Sequence, residues 1–131
     1  MGDRSELPTR QYAWVDYISE DESGNFVLPT HHLFLYLNYD GDGTVPASGE
    51  ADQMETALRS LERAVEWSND GLLFSLGYSP SYFDRFERPL PDTVDLPAPR
   101  RLSEFEEPDL DDQDILLHMA SDKAEVLLAA E

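Results

Sequence analysis

The sequence predicts an α+β fold in which helices lie on one face of a small sheet. Three observations carry this. Short apolar runs at 32–39, 72–78 and 114–120 read as strands, and the stretches 48–67 and 122–131 repeat apolar residues at helical spacing. Turn residues separate each of these segments from the next. With 131 residues there is room for one domain and one modest core.

Residues 1–7 are polar and expected to fray, and residues 1–30 form an N-terminal arm ahead of the main domain at 31–131. Thr9 is placed to cap a short helix whose apolar side includes Tyr12, Trp14, Val15 and Ile18. Asp21-Glu22-Ser23-Gly24-Asn25 reads as a turn, and Phe26-Val27-Leu28 as a short extended piece. The run from His32 to Tyr39 is apolar on both parities, which predicts a central strand covered on both faces. Asp40-Gly41-Asp42-Gly43 ends it. A long helix begins near Ser48 and carries Met54, Leu58, Leu61, Ala64 and Val65 at three- and four-residue steps. Asn69-Asp70-Gly71 stops that helix and leads into the strand Leu72–Tyr78.

Ser79-Pro80 pairs a capping residue with a favoured first helical residue, predicting one or two turns over Ser81–Phe86. Residues 87–113 are rich in proline and acid. Their apolar anchors Leu90, Val94, Leu96, Leu102 and Phe105 predict a loop laid over the domain. Asp114–Ala120 is the third strand. Asp122 with Glu125 three residues later has the capping-box pattern for a last helix through Val126, Leu127 and Leu128. The order strand, helix, strand, short helix, strand, helix suits a ferredoxin-like βαββαβ unit whose last strand is missing. A truncated domain, or one completed in trans, is the expectation.

Charge narrows the function classes. Nine basic residues face 28 acidic ones, a net charge of −19, and Lys123 is the only lysine beside eight arginines. Self-repulsion on this scale is relieved by abundant counterions, so the composition reads as adaptation to salt. Nucleic acid and anionic membranes would be repelled. No apolar run approaches the ~20 residues of a membrane span, so no membrane insertion is expected. Without cysteine there is no disulfide, thiolate metal site or cysteine nucleophile.

Several motifs invite a chemical reading. Asn38 to Thr44 resembles the first half of a calcium loop, with Asp40 and Asp42 as the candidate ligands. The match fails at its twelfth position, Gly49, and a plain acidic turn accounts for the same residues. His31 and His32 are adjacent in a strand, so they point to opposite faces and do not share a metal. His118 is a candidate cofactor-side residue on a strand face, set against the simpler reading of a hydrogen-bonded or edge-exposed histidine. Glu104 to Asp114 holds seven carboxylates in eleven residues, read as a solvated loop. No Ser-His-Asp arrangement, phosphate loop or nucleophile elbow is present, and no catalytic residue is assigned.

The segment Gly71–Phe86, with Gly-Tyr-Ser-Pro leading into Tyr82-Phe83, resembles dye-decolorising-type haem peroxidases. The resemblance continues through Leu96-Pro97-Ala98-Pro99 and from Asp114 through His118 to Asp122. With His32–Tyr39 and the 48–67 helix it spans about 100 residues, most of that family's first ferredoxin-like domain, and is strongest for the haloarchaeal branch. It implies haem b enclosed by two such domains, peroxide as oxidant and, in some relatives, export by an upstream twin-arginine signal. The family's distal Gly-x-x-Asp-Gly loop is absent; Trp67-Ser-Asn-Asp70-Gly71 does not match it. The haem-ligating histidine and distal arginine belong to the second domain, so no residue here inherits either role. Two readings follow. The first is the N-terminal structural part of such a haem protein, with the remainder of a longer polypeptide or a partner chain as its complement. The second is a non-enzymatic ferredoxin-like module that forms a homo-oligomer through an open sheet edge.

Overall fold

A computed structural model describes residues 13–40, 45–46, 48–88, 90–91, 93–94, 96, 100–109 and 112–131. The expected cap at Thr9, Tyr12 and the frayed residues 1–7 lie outside the described residues, as do Asp42 and the rest of 41–44. The fold is α+β. A 3-10 turn at Ala13–Asp16 precedes the hairpin β1 (Ser19–Glu20) and β2 (Phe26–Val27). Then come β3 (His31–Leu37), α1 (Ser48–Ala64), β4 (Leu73–Tyr78), α2 (Pro80–Asp84), β5 (Ile115–Ser121) and α3 (Ala124–Ala130). β1 and β2 pair antiparallel as a sheet of their own, and the second sheet has the order β3-β5-β4.

Contacts at the strand ends fix the direction. The Ser79 N–H donates to the Asp114 carbonyl at 2.9 Å and the Asp122 N–H to the Asn69 carbonyl at 2.7 Å, so β4 and β5 run antiparallel. Thr30 meets Asp122 before β3, and Tyr39 meets Asp114 after it, which makes β3 and β5 antiparallel too. β5 is therefore the central strand. The both-parity apolar run of β3 had predicted that place for β3; instead β3 is an edge, with Phe34 49% and Tyr36 63% exposed. The short extended piece at Phe26–Val27 is β2, paired to β1.

The chain clusters into two compact units, residues 1–33, 58–74 and 119–131 in one and 34–57 and 75–118 in the other. The core of the first is Leu72, Leu73, Met119, Ala120 and Leu127, all buried. The Trp67 ring meets Phe74 edge-on at 4.8 Å and Tyr17 at 6.0 Å, and Trp14 Nε1 donates to the Phe74 carbonyl at 3.0 Å. Asn69, 4% exposed, is the polar hub of this unit. Its Oδ1 accepts from the Ser19 N–H at 3.0 Å and its Nδ2 donates to the Val27 carbonyl at 2.8 Å. One side chain thus anchors both strands of the hairpin. Asn69→Ala is expected to cost about 2 kcal/mol, since it removes two side-chain hydrogen bonds at once, those that hold the Ser19 N–H and the Val27 carbonyl. Amide hydrogen exchange checks this, with Ser19 exchanging much faster and the core strand β5 accelerating less.

At the hairpin, Gly24 takes φ +77°, and the Asp21 carboxylate accepts from the Ser23 and Asn25 amides at 2.8 Å each. The Asn25 side chain and amide hold the Asp21 carboxyl below the usual range. Asp122 does not cap α3. The N-cap is Lys123, without a side-chain cap bond, and the Asp122 carboxylate instead accepts from the Thr30 N–H at 2.8 Å and hydroxyl at 2.7 Å. The capping-box pattern gave way to a longer-range tie that locks the entrance of β3. Hydrogen bonds from Thr30 lower the Asp122 pKa.

In the second unit Ile115 and Leu117 are buried. Leu33, Leu35 and Leu37 alternate half-buried with exposed neighbours along β3. On α1, Met54, Leu58 and Leu61 are half-buried among exposed positions, the stripe its periodicity predicts. Ser79 caps α2 as its sequence indicates, accepting from the Tyr82 N–H at 3.4 Å.

Candidate functional site

Two features of the second unit hold side chains in arrangements that the hydrophobic pattern alone does not explain: a buried ionic clasp and a bare sheet face. The clasp is built around Asp114, 1% exposed, the residue before β5. Arg85, just after α2, engages it with two parallel bonds, Nε to Oδ1 and Nη2 to Oδ2, each 2.9 Å. The Tyr39 N–H donates to Oδ2 at 2.7 Å, the Arg85 guanidinium lies 5.7 Å from the centre of the Tyr39 ring, and the Tyr39 hydroxyl donates to Glu50 Oε2 at 2.7 Å. The end of β3, the start of α1, the end of α2 and the start of β5 are all tied to one carboxylate. Burial pushes the Asp114 carboxyl up, but the Arg85 hydrogen bonds, the Tyr39 N–H and the Arg85 charge outweigh it and hold the group below the usual range. The same bond pushes Arg85 up. Every polar atom of the Asp114 carboxylate is engaged, so the clasp is structural.

The bare face follows from strand register. Phe34 stacks on His118 with centroids 4.3 Å apart and planes at 13°, which sets Tyr36 beside Leu116. The Ser79–Asp114 backbone bond sets Gly77 beside Leu116 on the other side. One row across the sheet is therefore Tyr36, Leu116, Gly77, and the next is Phe34, His118, Ser75. The β3 side stands tall with aromatic rings, while the β4 side is low, with Gly77 and Ser75 both exposed. A trough of about 330 Å³ results, lined by Tyr36, Gly77, Tyr78, Ser79, Asp112 and Leu116 among others. Tyr78 is held at its rim by Tyr82 and Phe83, with ring centroids at 4.6 and 6.2 Å. Burial, then the charges of Tyr78, Asp114 and Glu50, raise the Tyr82 pKa.

The structure separates most of the residues that the sequence singled out. His118 lies on the bare face with its ring against Phe34. His31 and His32 are both exposed at the start of β3. Asp40 is exposed; its intended partner Asp42 lies outside the described residues. In the acidic run, Glu104, Glu106, Glu107, Asp109 and Asp112 are exposed, whereas Asp114 is buried in the clasp. Of the loop's apolar anchors, Leu90, Val94 and Leu96 line a cavity of about 320 Å³ with Pro80, Phe83 and Asp84. Leu102 and Phe105 do not anchor; they are 96% and 89% exposed. Sequence reasoning missed Tyr36, Gly77 and Arg85. A glycine inside an otherwise apolar strand was the available signal for the trough.

With this geometry in place, comparison gives the class. Residues 29–131 match the family model of a family of unknown function, DUF7405, and the chain belongs to that family. No curated protein and no solved structure matches the chain. Among the described residues no helix is long and apolar enough to cross a membrane.

Proposed function

We propose that the chain is a scaffold, the N-terminal ferredoxin-like part of a protein of dye-decolorising-peroxidase type, not catalytically complete by itself. The observation that carries this is the sheet: in chain order its strands run first, third, second, all antiparallel, with the first strand β3 at an edge and its aromatic face bare. In a βαββαβ unit a closing strand returns beside the first, so β3 is where further polypeptide would join. Phe34, 49% exposed beside that edge with its ring on His118, favours added surface at the edge itself.

The resemblance implies haem b with its ligating histidine and distal arginine in a second domain, and among the described residues Arg85 is committed to Asp114. The group belongs with the completing polypeptide, and this chain contributes the rigid sheet beside it. The same edge supports a second reading, a non-enzymatic module that associates with itself through β3.

Intact mass, sedimentation and visible absorbance of the protein purified from its own cells test the scaffold reading. It expects this chain within a longer or two-chain species that shows a Soret band, and no ligated-haem spectrum when this chain alone is mixed with haem. A haem-free homo-oligomer of this chain would support the second reading instead. A haem-free monomer of this chain alone would defeat both.

A further inference from the structure

Beyond the scaffold reading, and independent of it, we propose that the trough on the bare sheet face binds a planar aromatic cation. The ligand lies flat over Gly77 and Leu116, with its edge against the ring of Tyr36 and the rim closed by Tyr78. Its volume of about 330 Å³ suits a fused-ring small molecule.

Gly77 is the observation that points to a ligand. Glycine weakens a strand interior, and it survives there where the backbone or a close neighbour demands it. Neither demand exists here: positive φ among the described glycines occurs only at Gly24, and a Cβ built on Gly77 meets nothing within 4 Å. The missing side chain serves the space above it. Across the row stands Tyr36, 63% exposed, a large ring facing the same open space. The cleft thus offers a flat floor one side chain deep and an aromatic wall.

Charge selects the ligand's sign. Asp112 brings a carboxylate to the lining, no lysine, arginine or histidine is among the lining residues, and the chain carries a net −19. Anions are repelled from such a cleft, and a neutral ring gains only contact area. A delocalised cation gains that area together with attraction to the Tyr36 ring and one carboxylate. Haem b, with two carboxylates of its own, is opposed by the same field, so this trough is no haem seat.

Calorimetric titration of the whole chain with N-methylquinolinium, against its neutral isostere methylnaphthalene, tests the proposal. Molar potassium chloride screens diffuse attraction to the acidic surface. The cation should bind about 10-fold more tightly than the isostere. Gly77→Val, which fills the floor, should abolish binding of both. Tyr36→Leu, which keeps an apolar wall, should remove most of the cation's advantage. Asp112→Asn should weaken the cation, whereas Glu125→Gln, an equal loss of charge outside the lining, should not. Equal affinity for the two probes overturns the charge selection. Unchanged binding in Gly77→Val with an unaltered melt overturns the site, as does an equal effect of Asp112→Asn and Glu125→Gln. If Gly77→Val fails to fold, the Tyr36 and Asp112 variants decide the matter in the same way.

Discussion

Asp114→Ala is expected to lower the unfolding free energy by about 4 kcal/mol, measured by urea denaturation at fixed ionic strength. The magnitude follows from what would be left behind. Asp114 is 1% exposed and receives both arms of Arg85 and the Tyr39 amide. Removing it strands a guanidinium whose side chain is 33% exposed and a backbone donor at the end of β3. Breaking one side of a buried, hydrogen-bonded pair is far worse than never having built it, because the surviving charge has lost its compensation. Arg85→Met should be comparably harmful, since it leaves the carboxylate uncompensated. The double variant should lose much less than the two single losses combined, because both act on one clasp. A loss below about 1 kcal/mol for Asp114→Ala would place the clasp outside the cooperative core.

The same clasp sets an acid limit. The Asp114 carboxyl is depressed in the folded state relative to an unfolded value of about 3.9, so the unfolded chain takes up its proton first. Its contribution is therefore fully present above that value and is lost as pH falls through the lower, folded pKa. The gap in stability between wild type and Asp114→Ala should be constant at neutral pH and narrow only below about 4. Asp122, depressed by its bonds to Thr30, acts in the same direction and window.

How much of this was legible depends on whether the signal was local. Helix α1 was, because Met54, Leu58 and Leu61 recur at helical steps and a helix must bury such a stripe. The start of α2 was too, because Ser79-Pro80 supplies both the cap and the fixed φ within two residues. Strand position was not. Phe34 and Tyr36 make β3 apolar on both parities, and hydrophobicity records what a residue prefers, not whether anything covers it. Asp122 had a capping-box partner at Glu125, yet Thr30, 92 residues away in sequence, took the carboxylate. Asp114 and Arg85 are 29 residues apart, with a proline-rich loop between them. No spacing rule connects such a pair, and the composition of the acidic run disguised Asp114, its buried member among the described residues.

Gly71→Ala should be the most damaging alanine substitution among the described glycines, costing about 3 kcal/mol and read as a fall in melting temperature of more than ten degrees. A Cβ there would lie 1.9 Å from the Glu66 carbonyl oxygen and 2.8 Å from its carbon. Both atoms are backbone, so no rotamer change relieves the clash. That carbonyl also accepts the Leu72 N–H at 2.9 Å, the bond that closes the exit of α1, and the Gly71 N–H donates to Ser68 Oγ at 3.0 Å. Moving Glu66 aside breaks the closure, and moving Gly71 displaces Leu72 and Leu73, which are 2% and 0% exposed. Either route reaches the core of the first unit or the hub at Asn69 two residues earlier. The glycine is held by close approach and not by a left-handed backbone, since its φ is not positive. Gly77→Ala in the neighbouring strand makes the informative comparison: a Cβ there meets nothing, so the same methyl should leave the melt unchanged or slightly raised. Equal losses at the two positions would mean that strand flexibility, and not the Glu66 contact, is what glycine supplies.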